Sequence, residues 1–212
     1  MGRGARRCYE SPMLDRQPTL ADAHLHLRPL APGDWPALFA VASDPAIWAQ
    51  HPVPDRWQEP VFRRYFEEAL ASRGALIAID RLTGAPIGAS RYDHGRALPG
   101  EVEIGWTFLA RDRWGGTWNH AMKRLMLTHA FAALDDSGAP AITQAIFLIG
   151  ETNTRSRRAM AAIGGVLTDR VFTYTMSGVD VRHLVYAITR EGFAAGPLGS
   201  RGKEAGPPAG RG

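Results

Sequence analysis

Residues 101–119 read EVEIGWTFLARDRWGGTWN, and this stretch decides the fold. Its first half, Glu101 to Leu109, alternates as a half-buried strand does. Val102 and Ile104 share one face, and Glu101 and Glu103 share the other. Gly105 interrupts the run, and a glycine inside a strand marks a bulge or a close backbone approach. The second half, Trp114-Gly115-Gly116-Thr117-Trp118-Asn119, is a glycine-containing loop. It opens the longest helical pattern of the chain, Asn119 to Leu134, in which Met122, Leu125, Met126, His129 and Ala130 recur at three- and four-residue spacings. A strand that turns through glycines into a helix start aims free N–H groups and the positive end of the helix dipole at one place, where a pyrophosphate fits. Taken alone, Gly-Gly before a helix reads as a plain turn just as readily.

Upstream, His24 to Arg28 alternates as a strand and Pro29 ends it. Asp34 caps a short helix with Pro36 in its first turn. Glu59 to Ser72 sets Phe62, Phe66, Ala69 and Leu70 on one helical face, and Gly74 closes it. Leu76 to Asp80 and Ala85 to Tyr92 are strands joined by Thr83-Gly84. Downstream come a buried strand, Ala141 to Ile149, and a helix, Thr154 to Ile163, closed by Gly164-Gly165. Two further strands, Val166 to Met176 and Val181 to Thr189, join around Ser177-Gly178. The order β-α-α-β-β-β-α-β-α-β-β is neither doubly wound nor a barrel. It predicts an α/β (α+β) fold with a mixed, mostly antiparallel central sheet and helices on both faces. Residues 1–22 lack periodicity and are expected to form a flexible leader. Residues 193–212, rich in Gly and Pro, are expected to form a disordered tail. That leaves one domain over 23–192.

Composition limits the partners. With 45% hydrophobic residues in 212, the chain can build a sizeable core without staples. Cys8 is the only cysteine, so neither an intrachain disulfide nor a thiolate metal site is available. No apolar run suggests a membrane span, and the arginines near the start precede no apolar stretch, so no secretory signal is read. The expected compartment is the cytoplasm. The net charge of +4 sits mainly in the two ends, and only Lys123 and Lys203 are lysines among 25 Lys and Arg. No nucleic-acid partner is expected from it.

Two more segments carry candidate chemistry. Asn153-Thr154-Arg155-Ser156 follows a strand and opens a helix, with Asn153 where an N-cap would stand. Glu103 is a carboxylate on an inner strand that could act as a base or lie at the surface. There is no nucleophile elbow, no GxxxxGK[ST] and no HExxH. His24 and His26 share a strand face but lack a third ligand, so no metal is expected.

These segments, in order, resemble the GCN5-related N-acetyltransferase family, and more narrowly its RimJ/RimL-like branch. The resemblance covers residues 24–190. It is carried by His26-Leu27-Arg28-Pro29-Leu30, by Glu103-Ile104-Gly105-Trp106, by Trp114-Gly115-Gly116 through Asn119, Lys123 and Leu125 to Phe131, and by Asn153 through Arg155-Ser156, Ala159-Met160 and Gly164. It implies the acyl-CoA N-acyltransferase fold, acetyl-CoA as cofactor and transfer of acetyl to a primary amine by direct attack in a ternary complex. The amine would belong to a protein N-terminus or a small molecule. The family loop Arg/Gln-x-x-Gly-x-Gly/Ala aligns with Trp114-Gly115-Gly116-Thr117-Trp118-Asn119, where Thr117 and Asn119 replace small residues. The backbone donors of that loop would take the pyrophosphate. Backbone around Gly105, Trp106 and Thr107 would face the developing oxyanion. Glu103 is the implied base acting through water. Asn153 would hold the pantetheine amide or that water, Ser156 would sit near the thiol, and Tyr186 or Tyr174 would be the acid. Arg182-His183 stands where the branch has Arg-Asp. Asp34, Asp44, Glu59 and Asp180 are candidates for gripping an amine. A homodimer is compatible with the branch. A non-catalytic CoA-binding module is the alternative, motivated by the altered loop.

Overall fold

A computed structural model of the chain describes residues 14–176 and 178–199. The elements run β1 (Leu20–Ala21), β2 (Leu25–Pro29), α1 (Trp35–Ala42), α2 (Pro45–Trp48), α3 (Glu59–Ala71), β3 (Ala75–Asp80), β4 (Pro86–Asp93) and β5 (Glu101–Leu109). They continue with α4 (Trp118–Ala132), β6 (Gln144–Gly150), α5 (Thr154–Ala162), β7 (Val166–Met176), β8 (Val179–Thr189) and α6 (Arg190–Ala195). The strands form one sheet in the order β1-β2-β3-β4-β5-β6-β8-β7. Every pairing is antiparallel except β5 with β6. Helices cover both faces, as expected from the sequence.

Two cores lie on the two faces. On one, Val102, Ile104 and Leu109 of β5 pack with Met122, Met126, Leu127 and Ala130 of α4 and with Met160 of α5. On the other, Ile77 and Phe108 pack with Leu38, Trp48, Phe62, Tyr65 and Phe66 of the three leading helices. The spacing of Phe62, Tyr65, Phe66 and Ala69 makes α3 amphipathic, and Glu59 stands in its first turn, next to a proline at the start. Gly74 follows the helix where an added Cβ would sit 2.1 Å from the Tyr92 carbonyl oxygen, so no side chain is admitted there.

One parting of strands creates the cleft. β5 and β6 pair only over Glu101–Glu103 and Gln144–Ile146. β6 then stays with β8 as far as Gly150 opposite His183. Beyond Glu103, the β6-facing edge of β5 has no strand partner among the described residues, and its polar backbone faces a V-shaped opening.

Both ends of the fold extend beyond the expected domain limits. Residues 14–22 are not a loose leader. Leu14 is buried on the α4 face, β1 pairs with β2, and Asp22 pairs with Arg124 at 3.0 Å. Residues 193–199 are not a loose tail either. The Thr189 hydroxyl accepts from Gly192 N–H to cap α6, Phe193 meets Phe131 at 5.6 Å between ring centroids, and Leu198 is buried. Each large apolar side chain so buried contributes about 1.5–3 kcal/mol, enough to offset the ordering of a few neighbours. The rest of both expected segments, 1–13 and 200–212, lies outside the described residues. No helix among the described residues is long and apolar enough to cross a membrane.

Candidate active site

The bulge read at Gly105 is present, and its effect is larger than a kink. Ala89 pairs with Phe108 and Arg91 with Gly105, so Trp106 and Thr107 together oppose Ser90. Trp106 takes φ +51, an uncommon conformation for a bulky residue. Its carbonyl accepts from the Tyr65 hydroxyl at 2.7 Å, and the Arg91 guanidinium lies 3.3 Å over its ring. The extra residue reverses the alternation of β5. Phe108 therefore falls into the α1–α3 core, while Thr107 and Leu109 join the face of Ile104, toward α4. There Lys123 Nζ donates to Thr107 Oγ1 at 2.6 Å and to Ser90 Oγ at 3.1 Å. Burial pushes the Lys123 ammonium down to about 7.

The loop after β5 leaves the start of α4 open. Gly115 takes φ +69, which turns the chain into the helix. Thr117 stands at the cap position but its side chain caps nothing. The backbone N–H groups from Gly115 to His120 donate to no acceptor among the described residues. Gly115, Gly116 and Asn119 line the cleft, as do Trp106, Thr107 and Trp114, whereas the side chains of Thr117 and Trp118 do not. The Trp114 indole donates to the Leu109 carbonyl at 3.0 Å and holds the loop against the strand end.

The start of α5 borders the same cleft and is closed. Asn153 Oδ1 accepts from Ser156 N–H at 3.1 Å, and Gln50 Oε1 accepts from Arg155 N–H at 3.0 Å. Asn153 and Ser156 line the cleft, but their capping bond removes the Ser156 N–H as a ligand donor. The Arg155 side chain donates to the carbonyls of Ala46 and Ile47 and lies 4.0 Å over the Trp114 ring, which ties α2, α5 and the glycine loop together.

The expected acid and base stand elsewhere. Glu103 is buried, and Arg96 Nε and Nη2 donate to its two oxygens at 2.7 and 2.6 Å. Burial raises its carboxyl while Arg96 opposes the rise. It does not line the cleft, so the arrangement is that of a paired ion rather than a free base. Tyr186 is buried in the α4–α5 core, its hydroxyl accepts from Arg157 Nε at 3.0 Å, and it does not reach the cleft. The alternation of β8 explains this, because it sends Leu184, Tyr186 and Ile188 to that core. His183, one step out of that register, lines the cleft. Its Nδ1 lies 3.3 Å from the Val181 carbonyl, which can only accept, so the lone pair resides on Nε2. Burial lowers its imidazolium, leaving the ring neutral near pH 7.

The cleft has a volume of about 280 Å³. Among the described residues no carboxylate lines it, whereas Arg56, Arg113, Lys123 and Arg155 do. The four acids considered for gripping an amine are engaged elsewhere. Asp34 pairs with Arg28, Asp44 caps α2 and pairs with Arg111, Glu59 pairs with Arg63, and Asp180 accepts from the Thr175 hydroxyl. Sequence reasoning assigned no role to Lys123, His51 or Arg56. Lys123 carried a signal, as one of two lysines in an arginine-rich chain standing inside an apolar helix stripe. His51 and Arg56 lie in an aperiodic loop and carried none.

These features fit a ligand such as acetyl-CoA. Free N–H donors at a helix start suit a pyrophosphate, and an unpaired strand edge suits the amides of pantetheine. Comparison with known proteins agrees. The Acetyltransferase (GNAT) domain model matches residues 24–166. A GCN5-related N-acetyltransferase from Brucella melitensis superposes with TM-score 0.71 at 16% identity, covering 84% of this chain and 81% of that one. RimJ from Mycobacterium smegmatis, in complex with CoA-disulfide, gives 0.59 at 20% identity over 85% and 90%. Spermidine N-acetyltransferase from Vibrio cholerae, in complex with CoA and spermine, gives 0.59 at 13% identity over 81% and 99%. No curated protein matches the chain. The chain belongs to the GCN5-related N-acetyltransferase family and is an N-acetyltransferase that uses acetyl-CoA.

Proposed function

We propose that this enzyme acetylates a primary amine, on a protein N-terminus or a small molecule, by direct attack within a ternary complex. One observation carries the reading: the unpaired edge of β5 and the uncapped start of α4 open into the same cleft as a neutral His183. Acetyl-CoA supplies a thioester whose carbonyl takes the amine and whose thiolate leaves. The protein's part is binding, orientation and proton transfer. Gly115, Gly116, Thr117, Trp118 and Asn119 offer backbone N–H groups to the pyrophosphate. Trp106 and Thr107 offer backbone to the pantetheine and the reacting carbonyl, and Asn153 and Ser156 border the thiol end. His183 Nε2 takes the proton from the attacking amine in place of Glu103 and returns it to the departing thiolate in place of Tyr186. Glu103 acts as a positioning residue, since Arg96, which it holds, lies 4.8 Å over the Trp106 ring at the bulge.

An α-amine, with a pKa near ~8, needs less help to shed its proton than a lysine near ~10.4, which favours the N-terminal and small-amine readings. The RimJ/RimL-like motifs and the likeness to RimJ support the same choice. A cleft without carboxylates argues against a polyamine. Self-association would use the β7 edge, where Val166, Leu167 and Val171 are exposed. The charge at the chain ends gives no reason to add nucleic acid, and the reaction belongs in the cytoplasm, where acetyl-CoA is supplied.

A thiol-release assay with a panel of amines and peptides tests the reading. Turnover on α-amines is expected, and His183→Gln should lower kcat about 100-fold or more while leaving acetyl-CoA affinity unchanged. Tight acetyl-CoA binding with no transfer to any amine would instead support the non-catalytic CoA-binding module.

A further inference from the structure

The loop between α2 and α3 holds a guanidinium with little to bind. Arg56 lies against two neighbouring rings, 5.1 Å from the Trp48 centroid and 4.8 Å from that of Tyr65. Arg56 lines the cleft, its Nε is buried without a partner, and no ion pair reaches it among the described residues. Among the described residues its one polar contact is Nη1 at 3.1 Å from His51 Nε2.

That contact sets two donors against each other. His51 Nδ1 accepts from Val53 N–H at 2.9 Å, so the ring proton must reside on Nε2. Nε2–H and the guanidinium then face the same space with no acceptor between them. A single anionic oxygen placed there would satisfy both. Of the nearby arginines, Arg96 pairs with Glu103, Arg91 stands 3.8 Å from Asp93, and Arg155 donates to backbone carbonyls. Glu68 and Asp55 act on Arg56 from a distance, but no carboxylate contacts it among the described residues. Tyr65, which covers it, donates to the Trp106 carbonyl at the bulge. Leu109, where the pyrophosphate loop begins, lies three strand residues beyond, roughly 10 Å at ~3.3 Å per residue.

We infer that His51 and Arg56 form a carboxylate-binding site for the acceptor, so that the preferred substrate carries a carboxylate close to its reacting amine. The inference rests on the acetyl-transfer reading above and names its substrate class. The carboxylate can come from a free amino acid or from an Asp or Glu at the start of a peptide.

Acetylated products probe the site without turnover. Calorimetry in the presence of CoA compares N-acetylalanine and N-acetylphenylalanine with their amides, and N-acetylated dipeptide amides beginning Asp or Glu with those beginning Asn or Gln. At least one carboxylate set should bind about tenfold to a hundredfold more tightly than its neutral partner, and the winning set identifies the source. Arg56→Met should erase the difference while keeping CoA affinity, and His51→Gln should reduce it. Equal binding within both sets, or none, overturns the inference. So does a loss of CoA affinity in Arg56→Met, which would assign the anion to a CoA phosphate. His183→Gln should leave product binding intact, so loss of turnover in that variant bears on the proposed base alone.

Discussion

The two helix starts that border the cleft are built from similar sequence and end in opposite states. Each follows a strand, each has a capping-type residue at its threshold, and each faces the same opening. At α5, Asn153 caps and Gln50 reaches across from the α2 side, so the first-turn donors are spent inside the protein. At α4, Thr117 caps nothing, and the donors from Gly115 to His120 have no acceptor among the described residues. The closed start fixes geometry, and the open one leaves its donors for the anion proposed there. Loop shape and dipole are shared, so what separates an anion site from an ordinary helix start is whether the protein has satisfied its own donors.

The largest expected effect concerns what lies one turn inside the open helix. Lys123 is buried on hydroxyls alone, while the first-turn arginine of α5, Arg155, reaches backbone carbonyls. Burial lowers the lysine from 10.5 to about 7, so between those values the folded chain holds fewer protons than the unfolded one. Stability gained from this group therefore rises with pH across that window, and the full penalty stands below pH 7. Lys123→Met should stabilise the protein at pH 6, by about 5 kcal/mol at most given about 1.4 kcal/mol for each tenfold change in proton affinity. The gain should fade toward pH 10. Urea unfolding at both pH values checks it, and a gain independent of pH would contradict the buried-amine account.

Next in size is the cap of the closed start. Asn153→Ala should cost about 1 kcal/mol of stability, and Thr117→Ala should cost much less because no cap bond is lost. Equal losses in thermal melts would erase the distinction between the two starts. Smallest is Gln50→Ala, which exposes the Arg155 N–H and should cost under about 1 kcal/mol.

Much of this architecture was legible in the sequence, for reasons that also mark where reading stops. The bounds of β5 and β7 follow directly from alternation and turn residues. β1 and α2 are too short for a period to register. The packing of Leu14, Phe193 and Leu198 was hidden because isolated apolar residues among Gly, Pro and Arg show no pattern. Gly105 announced the bulge, but not that Trp106 would take the left-handed conformation and turn Thr107 toward α4. The glycine loop was legible as a helix start. Whether its donors were free depended on a missing cap bond, just as the closing of α5 depended on Gln50, remote in sequence. Glu103 and Tyr186 suit proton transfer by residue type, yet Arg96 and Arg157 already engage them. The free imidazole at His183, and the donor conflict of His51 with Arg56, are products of tertiary placement.

The central claim is that the open start of α4 holds the cofactor. Thr117 sits at φ −82, close enough to the proline value for Thr117→Pro to remove one N–H with little strain. Calorimetric titration of acetyl-CoA into wild type, Thr117→Pro and Gln50→Ala tests it directly. The account predicts about a tenfold or greater loss of affinity for Thr117→Pro, as for one charge-assisted hydrogen bond, and wild-type affinity for Gln50→Ala. Unchanged affinity in a folded Thr117→Pro, or a loss confined to Gln50→Ala, would contradict it.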